Sequence, residues 1–305
     1  MRTICVIGGN GLLGSKILLE ATGAYRLISV DLHETSAFRH DGLEYIQGDI
    51  TDREGVREVI ARVHPDCVIH TAAFTDVDGC EREKEKAWGV NVTGAENVAL
   101  ACKAFNAKMI HLSSDYVFDG KEGPYGEEDE VNPISFYGET KLESERIVRD
   151  ILADFVIART MVLYGYSPGV RMNFVTWLID RFHDGKKVRV VADQYGTPTL
   201  ADDLARALLV LFDRNGRGVY HAVGRESINR YDFALRIAEV FHLDSSLIVR
   251  ATSDSLHQSA PRPLRSGLKT DKICREMGVA FSSVTDGLLV MRDQMEKAGV
   301  YTQKP

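Results

Sequence analysis

Short, almost wholly apolar runs alternate with longer amphipathic ones through the first half of the chain. Residues 3–7 form the first run, β-branched at Ile4, Val6 and Ile7; it stops at Gly8, and residues 12–19 follow with helical spacing. Further apolar runs at 26–30, 43–46, 66–70, 108–112 and 155–158 predict strands, and the segments 53–63, 86–106 and 139–152 predict helices. Nearly continuously apolar strands alternating with helices point to a parallel sheet covered on both faces, a Rossmann-type doubly wound α/β fold. Beyond about Gly165 the rhythm loosens. Residues 173–182, 201–212 and 231–241 predict helices, and 187–191, 218–222 and 247–249 predict strands. This second pattern predicts a smaller, partly interwoven C-terminal α/β substrate domain. Residues 1–164 are expected to form the dinucleotide-binding domain, completed by about 187–215, with 165–186 and 216–305 forming the substrate-binding domain. The 187–212 unit is the piece expected to return to the main sheet.

The turn after the first strand reads Gly8-Gly9-Asn10-Gly11-Leu12-Leu13-Gly14. Glycines spaced three apart occur in many turns, but here they follow a buried strand and open a helix. Helix N-terminal amides then face a pyrophosphate, with Gly8 and Gly11 allowing its approach and Gly14 letting the helix sit close to the sheet. Asn10, Leu12 and Leu13 fall in the same cradle. Asp31 ends the second strand 17 residues after Gly14, placed to accept from adenosine ribose hydroxyls. Its charge opposes a 2′-phosphate, whereas His33 and Arg39 nearby are suited to accommodate one, so NADH and NADPH both stay open. Asp49 and Ile50 after the third strand are placed for the adenine. Ala72 and Ala73 after the fourth offer small side chains where the cofactor crosses the sheet edge.

Composition narrows the class of partner. The 305 residues carry a formal net charge of -7, which argues against a general nucleic-acid or anionic-membrane surface. No apolar run approaches the roughly 20 residues of a bilayer span, and the N-terminus reads as strand and glycine turn rather than signal peptide. A cytoplasmic location is the expectation. Five cysteines (Cys5, Cys67, Cys80, Cys102 and Cys274) are scattered without metal-ligand or redox spacing.

Tyr137 and Lys141, four apart at the start of a predicted helix, share a face. A lysine ammonium near a phenol is expected to lower the phenol pKa, making Tyr137 a proton donor to a carbonyl under reduction. Ser113 and Ser114 end the fifth strand on the side where this fold class places its chemistry.

The glycine pattern, these serines and Tyr137-Gly138-Glu139-Thr140-Lys141 resemble the extended short-chain dehydrogenase/reductase superfamily. Within it the chain resembles the dTDP-4-dehydrorhamnose reductase family. That closer likeness rests on Ala72-Ala73-Phe74-Thr75-Asp76-Val77-Asp78, Ser113-Ser114-Asp115-Tyr116-Val117-Phe118-Asp119-Gly120, Asp193-Gln194-Tyr195-Gly196-Thr197-Pro198-Thr199 and Arg262-Pro263-Leu264-Arg265-Ser266. The resemblance implies Ser114, Tyr137 and Lys141 as catalytic residues, with serine where threonine is frequent. It also implies Thr75, Val77, Asp115, Tyr116 and Thr197 on the substrate side, and Asn91 and Val92 in a helix supporting the cofactor. Arg262 and Arg265 are candidates for a diphosphate. Some bacterial members are metal-linked dimers using a glutamate just after the last glycine of the turn. This chain has Ser15-Lys16 there, so no metal is expected; a homodimer is the assembly considered.

The implied reaction is NAD(P)H-dependent reduction of a nucleotide-linked 4-keto-6-deoxy sugar, dTDP-4-dehydro-L-rhamnose foremost. Three alternatives stand beside it. A 4,6-dehydratase needs an acidic pair after the catalytic hydroxyl, and Asp115-Tyr116 supplies only half. A 4-epimerase retains its NAD without net consumption. A non-catalytic NADP-binding subunit, resembling the regulatory subunit of methionine adenosyltransferase, shares much of the motif set.

Overall fold

The computed structural model describes residues 1–37, 40–256 and 258–301, so Arg39 lies outside the described residues. The predicted apolar runs form β1 (Thr3–Ile7), β2 (Arg26–Asp31), β3 (Glu44–Gln47), β4 (Cys67–His70), β5 (Lys108–Ser114) and β6 (Phe155–Thr160). After them come β7 (Leu163–Tyr164), β8 (Val188–Val191), β9 (Tyr195–Gly196), β10 (Thr199–Leu200), β11 (Gly218–His221), β12 (Ile228–Asn229) and β13 (Ile248–Ala251). Seven strands make one parallel sheet in the order β11-β6-β5-β4-β1-β2-β3. Reversal of strand order beside β1 puts a crevice at the carboxyl ends of β1 and β4, where open α/β sheets bind ligands.

The helices are α1 (Leu12–Ala21), α2 (Arg53–Val63), α3 (Val77–Arg82), α4 (Lys84–Trp88), α5 (Gly94–Phe105), α6 (Phe136–Ile151), α7 (Phe174–His183), α8 (Ala201–Asp213), α9 (Arg230–Val240), α10 (Ser253–Leu256), α11 (Asp271–Met277) and α12 (Val284–Lys297). Several starts follow side-chain caps: Asp52, Asp76, Ser135 and Asn229 each accept from an amide of the first turn. The helix expected over 86–106 is interrupted. Residues Gly89–Thr93 make a π turn between α4 and α5, a widening that often marks a functional position.

Three apolar cores follow from this layering. On one face of the sheet Ile4, Val6, Ile69 and Ile110 meet Ile17 and Leu18 of α1 and Leu204, Leu208 and Leu211 of α8. On the other, Cys5, Ile7, Val68 and Met109 meet Ile60, Val98, Cys102 and Val148. A separate core joins α7, α9 and α12 to β8 and β13 through Leu178, Val190, Phe233, Ile248 and Leu288. Cys5, Cys67 and Cys102 are fully buried, and burial pushes their thiols above the usual range. They serve as small apolar fillers.

The 187–212 unit does not return to the main sheet as expected. Its strand, β8, pairs in parallel with β13 in a separate two-stranded sheet, because Val188 and Val190 face the α7–α9–α12 core. The seventh position is taken by β11, from a segment assigned by sequence to the substrate domain; it pairs with β6, and Tyr220 and Ala222 face the α1–α8 core. Helix α8 does lie on α1.

Beside β6, Arg159 grips Glu145 of α6 through two hydrogen bonds of 2.9 and 2.8 Å, with side-chain exposures of 2% and 0%. Removing one partner strands the other charge in the interior. Glu145→Ala is therefore expected to cost about 3–5 kcal/mol, read as a lower urea midpoint with unchanged slope; a loss under 1 kcal/mol would sink that account. Among the described residues, no helix is long and apolar enough to cross a membrane.

Candidate active site

The glycine turn is built by exclusion. Gly8 sits at φ +91°, in the left-handed region, and its amide donates to the carbonyl of Val30. A Cβ at Gly14 would lie 2.2 Å from the Gly8 carbonyl oxygen and 2.7 Å from Gly9 Cα, so only glycine lets α1 start this close to the strand. Gly11 holds the cap position of α1 with no side-chain cap. The first-turn amides are left facing outward, the arrangement a pyrophosphate uses. The cradle fits a dinucleotide.

At the end of β2 the Asp31 carboxylate accepts from the Asn10 amide (Oδ2, 3.0 Å), and its Oδ1 lies 2.7 Å from His33 Nδ1. Asn10 also pins the following loop, donating to Thr35 O and accepting from Ala37 N. Val30, Gly48, Asp49 and Ile50 line a small apolar recess against α2. Asp49 is exposed and binds Thr51, while Ile50 is buried under Gly94. Ala72 and Ala73 follow β4, and the Ala72 amide bonds to Ile7 O.

Ser114 closes β5, and α6 brings Tyr137 and Lys141 to the same end; all three are buried. The Ser114 hydroxyl donates to Asp115 Oδ1 (2.9 Å), and Ser266 donates to Asp115 Oδ2 (2.6 Å). Burial pushes the Asp115 carboxyl up to about 6, against the opposing pull of both serines and Arg230. The Tyr137 phenol is also pushed up, first by burial and then by Asp115, with the Ser114 hydroxyl pulling it down. This corrects the expectation of a lowered phenol: the main influences on it come from its enclosure and from Asp115, not from Lys141. Burial lowers Lys141 itself to about 8, and Glu145 pulls it partly back.

The π turn aims Asn91 inward. Its Oδ1 accepts from Phe74 N (2.8 Å), and its amide donates to Phe74 O (3.1 Å) and Thr140 Oγ1 (3.0 Å). Asn91 thus ties the 71–76 segment to α6, next to Tyr137 and Lys141.

On the substrate side, the Tyr116 ring meets Tyr137 edge-on at 5.4 Å. Thr75 is exposed and Val77 half-buried, both near the lip of α3. Thr197 is buried, its amide donating to Met161 Sδ and its hydroxyl accepting from Leu268 N. Arg262 pairs with Asp78 at 2.9 Å and donates to Ala260 O, while Asp78 also accepts from Ala260 N. The structure adds Arg230, overlooked in the sequence. Half-buried at the start of α9, it bears electrostatically on Asp115 and Tyr116 together with Arg262. Its one local signal, an arginine directly after the Asn229 cap, also fits an ordinary solvated first turn. Arg265 takes part through its backbone, to Gly120 and Gly123, and its side chain is exposed.

Lys16 points inward. Its ammonium pairs with Asp202 (2.9 Å) and bonds to Gln294 Oε1 (2.8 Å), tying α1 to α8 and α12. Among the described residues, no group of three or more His, Cys, Asp or Glu side chains is placed to share a metal ion.

Residues 1–296 match the family described as the RmlD substrate binding domain. A dTDP-4-dehydrorhamnose reductase of Mycolicibacterium smegmatis is 36% identical, over 97% of this chain and 83% of that protein. The beta subunit of methionine adenosyltransferase 2 of Danio rerio is 30% identical, over 89% of this chain and 84% of its own. The crystal structure of a Bacillus anthracis dTDP-4-dehydrorhamnose reductase in complex with NADP superposes with a TM-score of 0.85 at 27% identity, covering 96% of this chain and 100% of that one. The chain belongs to the RmlD substrate-binding-domain family, the family that includes the dTDP-4-dehydrorhamnose reductases.

Proposed function

We propose that this chain reduces the 4-keto group of a nucleoside-diphosphate-linked 6-deoxy sugar, with dTDP-4-dehydro-L-rhamnose, giving dTDP-L-rhamnose, as its substrate. The observation that carries the reading is the convergence of Ser114, Tyr137 and Lys141 at one end of β5, across the crevice from the glycine cradle. A nicotinamide cofactor, NADPH or NADH, held by Gly8, Asn10, Gly11, Leu12, Leu13, Gly14, Asp31, Asp49, Ile50, Ala72 and Ala73, would supply the hydride. Tyr137, protonated at neutral pH because burial raises its pKa, gives its proton to the developing alkoxide. Ser114 turns its hydroxyl from Asp115 Oδ1 to donate to the same oxygen. Lys141 orients the cofactor ribose. Before substrate enters, Asp115 accepts from the Ser114 and Ser266 hydroxyls together.

Arg262, whose pair with Asp78 sets its orientation, and Arg230 beside it are assigned the diphosphate, with exposed Arg265 in an outer role. Thr75, Val77, Tyr116 and Thr197 border the sugar. In this reading the sheet and its helices bind the cofactor, and the α7–α9–α12 lobe binds the substrate in a cytoplasmic enzyme. The test is oxidation of NADPH and NADH by the purified chain across dTDP-, CDP- and GDP-linked 4-keto-6-deoxy sugars. Turnover only with the dTDP-linked sugar is expected; no turnover with any of them overturns the proposal.

The similarity to a methionine adenosyltransferase beta subunit favours one other reading, a cofactor-binding regulatory subunit. Binding of a synthetase, together with silence across the sugar panel, would support it.

Cofactor choice is expected to turn on His33. Its imidazole Nδ1 lies 2.7 Å from Asp31 Oδ1, at the end of β2 where a 2′-phosphate would lie. His33→Ala should lower the NADPH-to-NADH ratio of kcat/KM roughly two- to fivefold, the scale of an exposed polar contact. An unchanged ratio would remove His33 from that choice.

A further inference from the structure

Behind the catalytic helix lies a pair of buried histidines that the proposed reaction does not use. His70 ends β4 and His111 sits opposite it in the register of β5, both about 1% exposed. Their Nδ1 atoms are 3.1 Å apart, and His111 Nε2 is 2.9 Å from the Ser144 hydroxyl. Ser144 donates that hydroxyl to the backbone carbonyl of Lys141 (2.7 Å).

The direction of this chain follows from its last bond. Because Ser144 spends its only proton on Lys141 O, it must accept from His111, which fixes the His111 proton on Nε2. His111 Nδ1 is then a bare acceptor, so the His70 proton sits on Nδ1. This leaves a lone pair on His70 Nε2, and that atom is buried with no hydrogen-bond partner. An orphaned interior acceptor is costly, so a site that retains one is set to receive a donor.

The donor on hand is Lys141. Its side chain is buried, and its charge depresses both imidazoles after burial has done so. The groups bearing on this ammonium are His70 from β4, His111 from β5, and Glu145 one turn along α6. Glu145 is already committed to Arg159 and Arg149.

We propose that His70 is a positioning residue for Lys141: its Nε2 lone pair accepts a hydrogen bond from the Lys141 ammonium, directly or through one trapped water, and holds it against the sheet. The assignment rests on the reductase reading only in giving Lys141 its task. With its proton fixed on Nδ1, His70 is a neutral acceptor that favours the charged lysine. Taking it away should make the ammonium easier to deprotonate.

Two measurements decide it. In the wild-type protein with 15N-labelled histidine, long-range 1H–15N correlations should show the His70 proton on Nδ1 and a bare Nε2; the opposite tautomer overturns the proposal without any variant. The Lys141 titration, followed by the 13Cε signal of labelled lysine and assigned with Lys141→Arg, should move down by about half a pH unit or more in His70→Phe. It should stay near the wild-type value in His70→Gln, whose amide can serve both His111 and Lys141. A folded His70→Phe with an unmoved titration also overturns it. The alkaline limb of sugar-nucleotide turnover should shift with the titration. Absence of all turnover, with tautomer and titration as expected, would sink the reductase reading and leave the positioning role standing.

Discussion

Tyr137→Phe is expected to lower NAD(P)H-dependent sugar-nucleotide reduction by about 10²- to 10⁴-fold, the usual reach of a positioned proton donor. The loss should fall on kcat, because the ring, its edge-on contact with Tyr116 and its place on α6 all persist. Cofactor affinity should stay within about threefold, and the melting temperature should hardly move. Burial of the phenol, followed by the Asp115 charge, raises its pKa, so it is held protonated, as an acid needs to be. Rates from the absorbance of the reduced nicotinamide, set beside fluorescence titration of cofactor, separate the two effects. Near-normal reduction by the variant would remove Tyr137 from the chemistry.

Gly14→Ala is expected to act on the cofactor and the fold together. The added methyl would meet the Gly8 carbonyl and Gly9 Cα, backbone atoms pinned by the Gly8–Val30 bond, so relief requires α1 to lift from the sheet. Overpacking of this kind costs about 1–3 kcal/mol. It should also weaken cofactor binding at least tenfold by moving the helix amides. Gly89 is the control: it has helical φ, and a Cβ there meets nothing within 4 Å. Gly89→Ala should therefore lie within about 1 kcal/mol of wild type, on the stabilising side. Equal behaviour of the two variants in thermal and cofactor titrations would refute the steric account.

Much of this architecture was legible because its determinants are local. The first six strands are apolar runs, several of them followed at once by glycine or aspartate, and α2 and α6 are capped by residues next to them in sequence. The seventh strand was not, since 187–191 and 218–222 carry equivalent apolar patterns. What separates them is which core their side chains reach, a fact held by distant residues such as Phe233 and Leu208. The reacting trio was legible as a motif, yet its electrostatics were not. Spacing alone placed Lys141 against Tyr137; the burial and the Asp115 carboxylate that dominate the phenol come from the closed end of the crevice. Arg230 and the His70–His111 pair escaped for the same reason. Each becomes informative only through a neighbour tens of residues away, Tyr116 for one and β5 for the other.

The clasps from Asp78 to Ala260 and Arg262, and from Asp115 to Ser266, reach across 182, 184 and 151 positions of the chain. During synthesis the glycine cradle and the first five strands emerge long before the segment that closes them. A nascent chain halted before residue 260 would carry a nearly whole dinucleotide platform, with Asp78 and Asp115 facing solvent. Cofactor can therefore arrive first and act as a folding partner, stabilising the platform by mass action. The segment that carries Ala260, Arg262 and Ser266 joins the platform only afterwards.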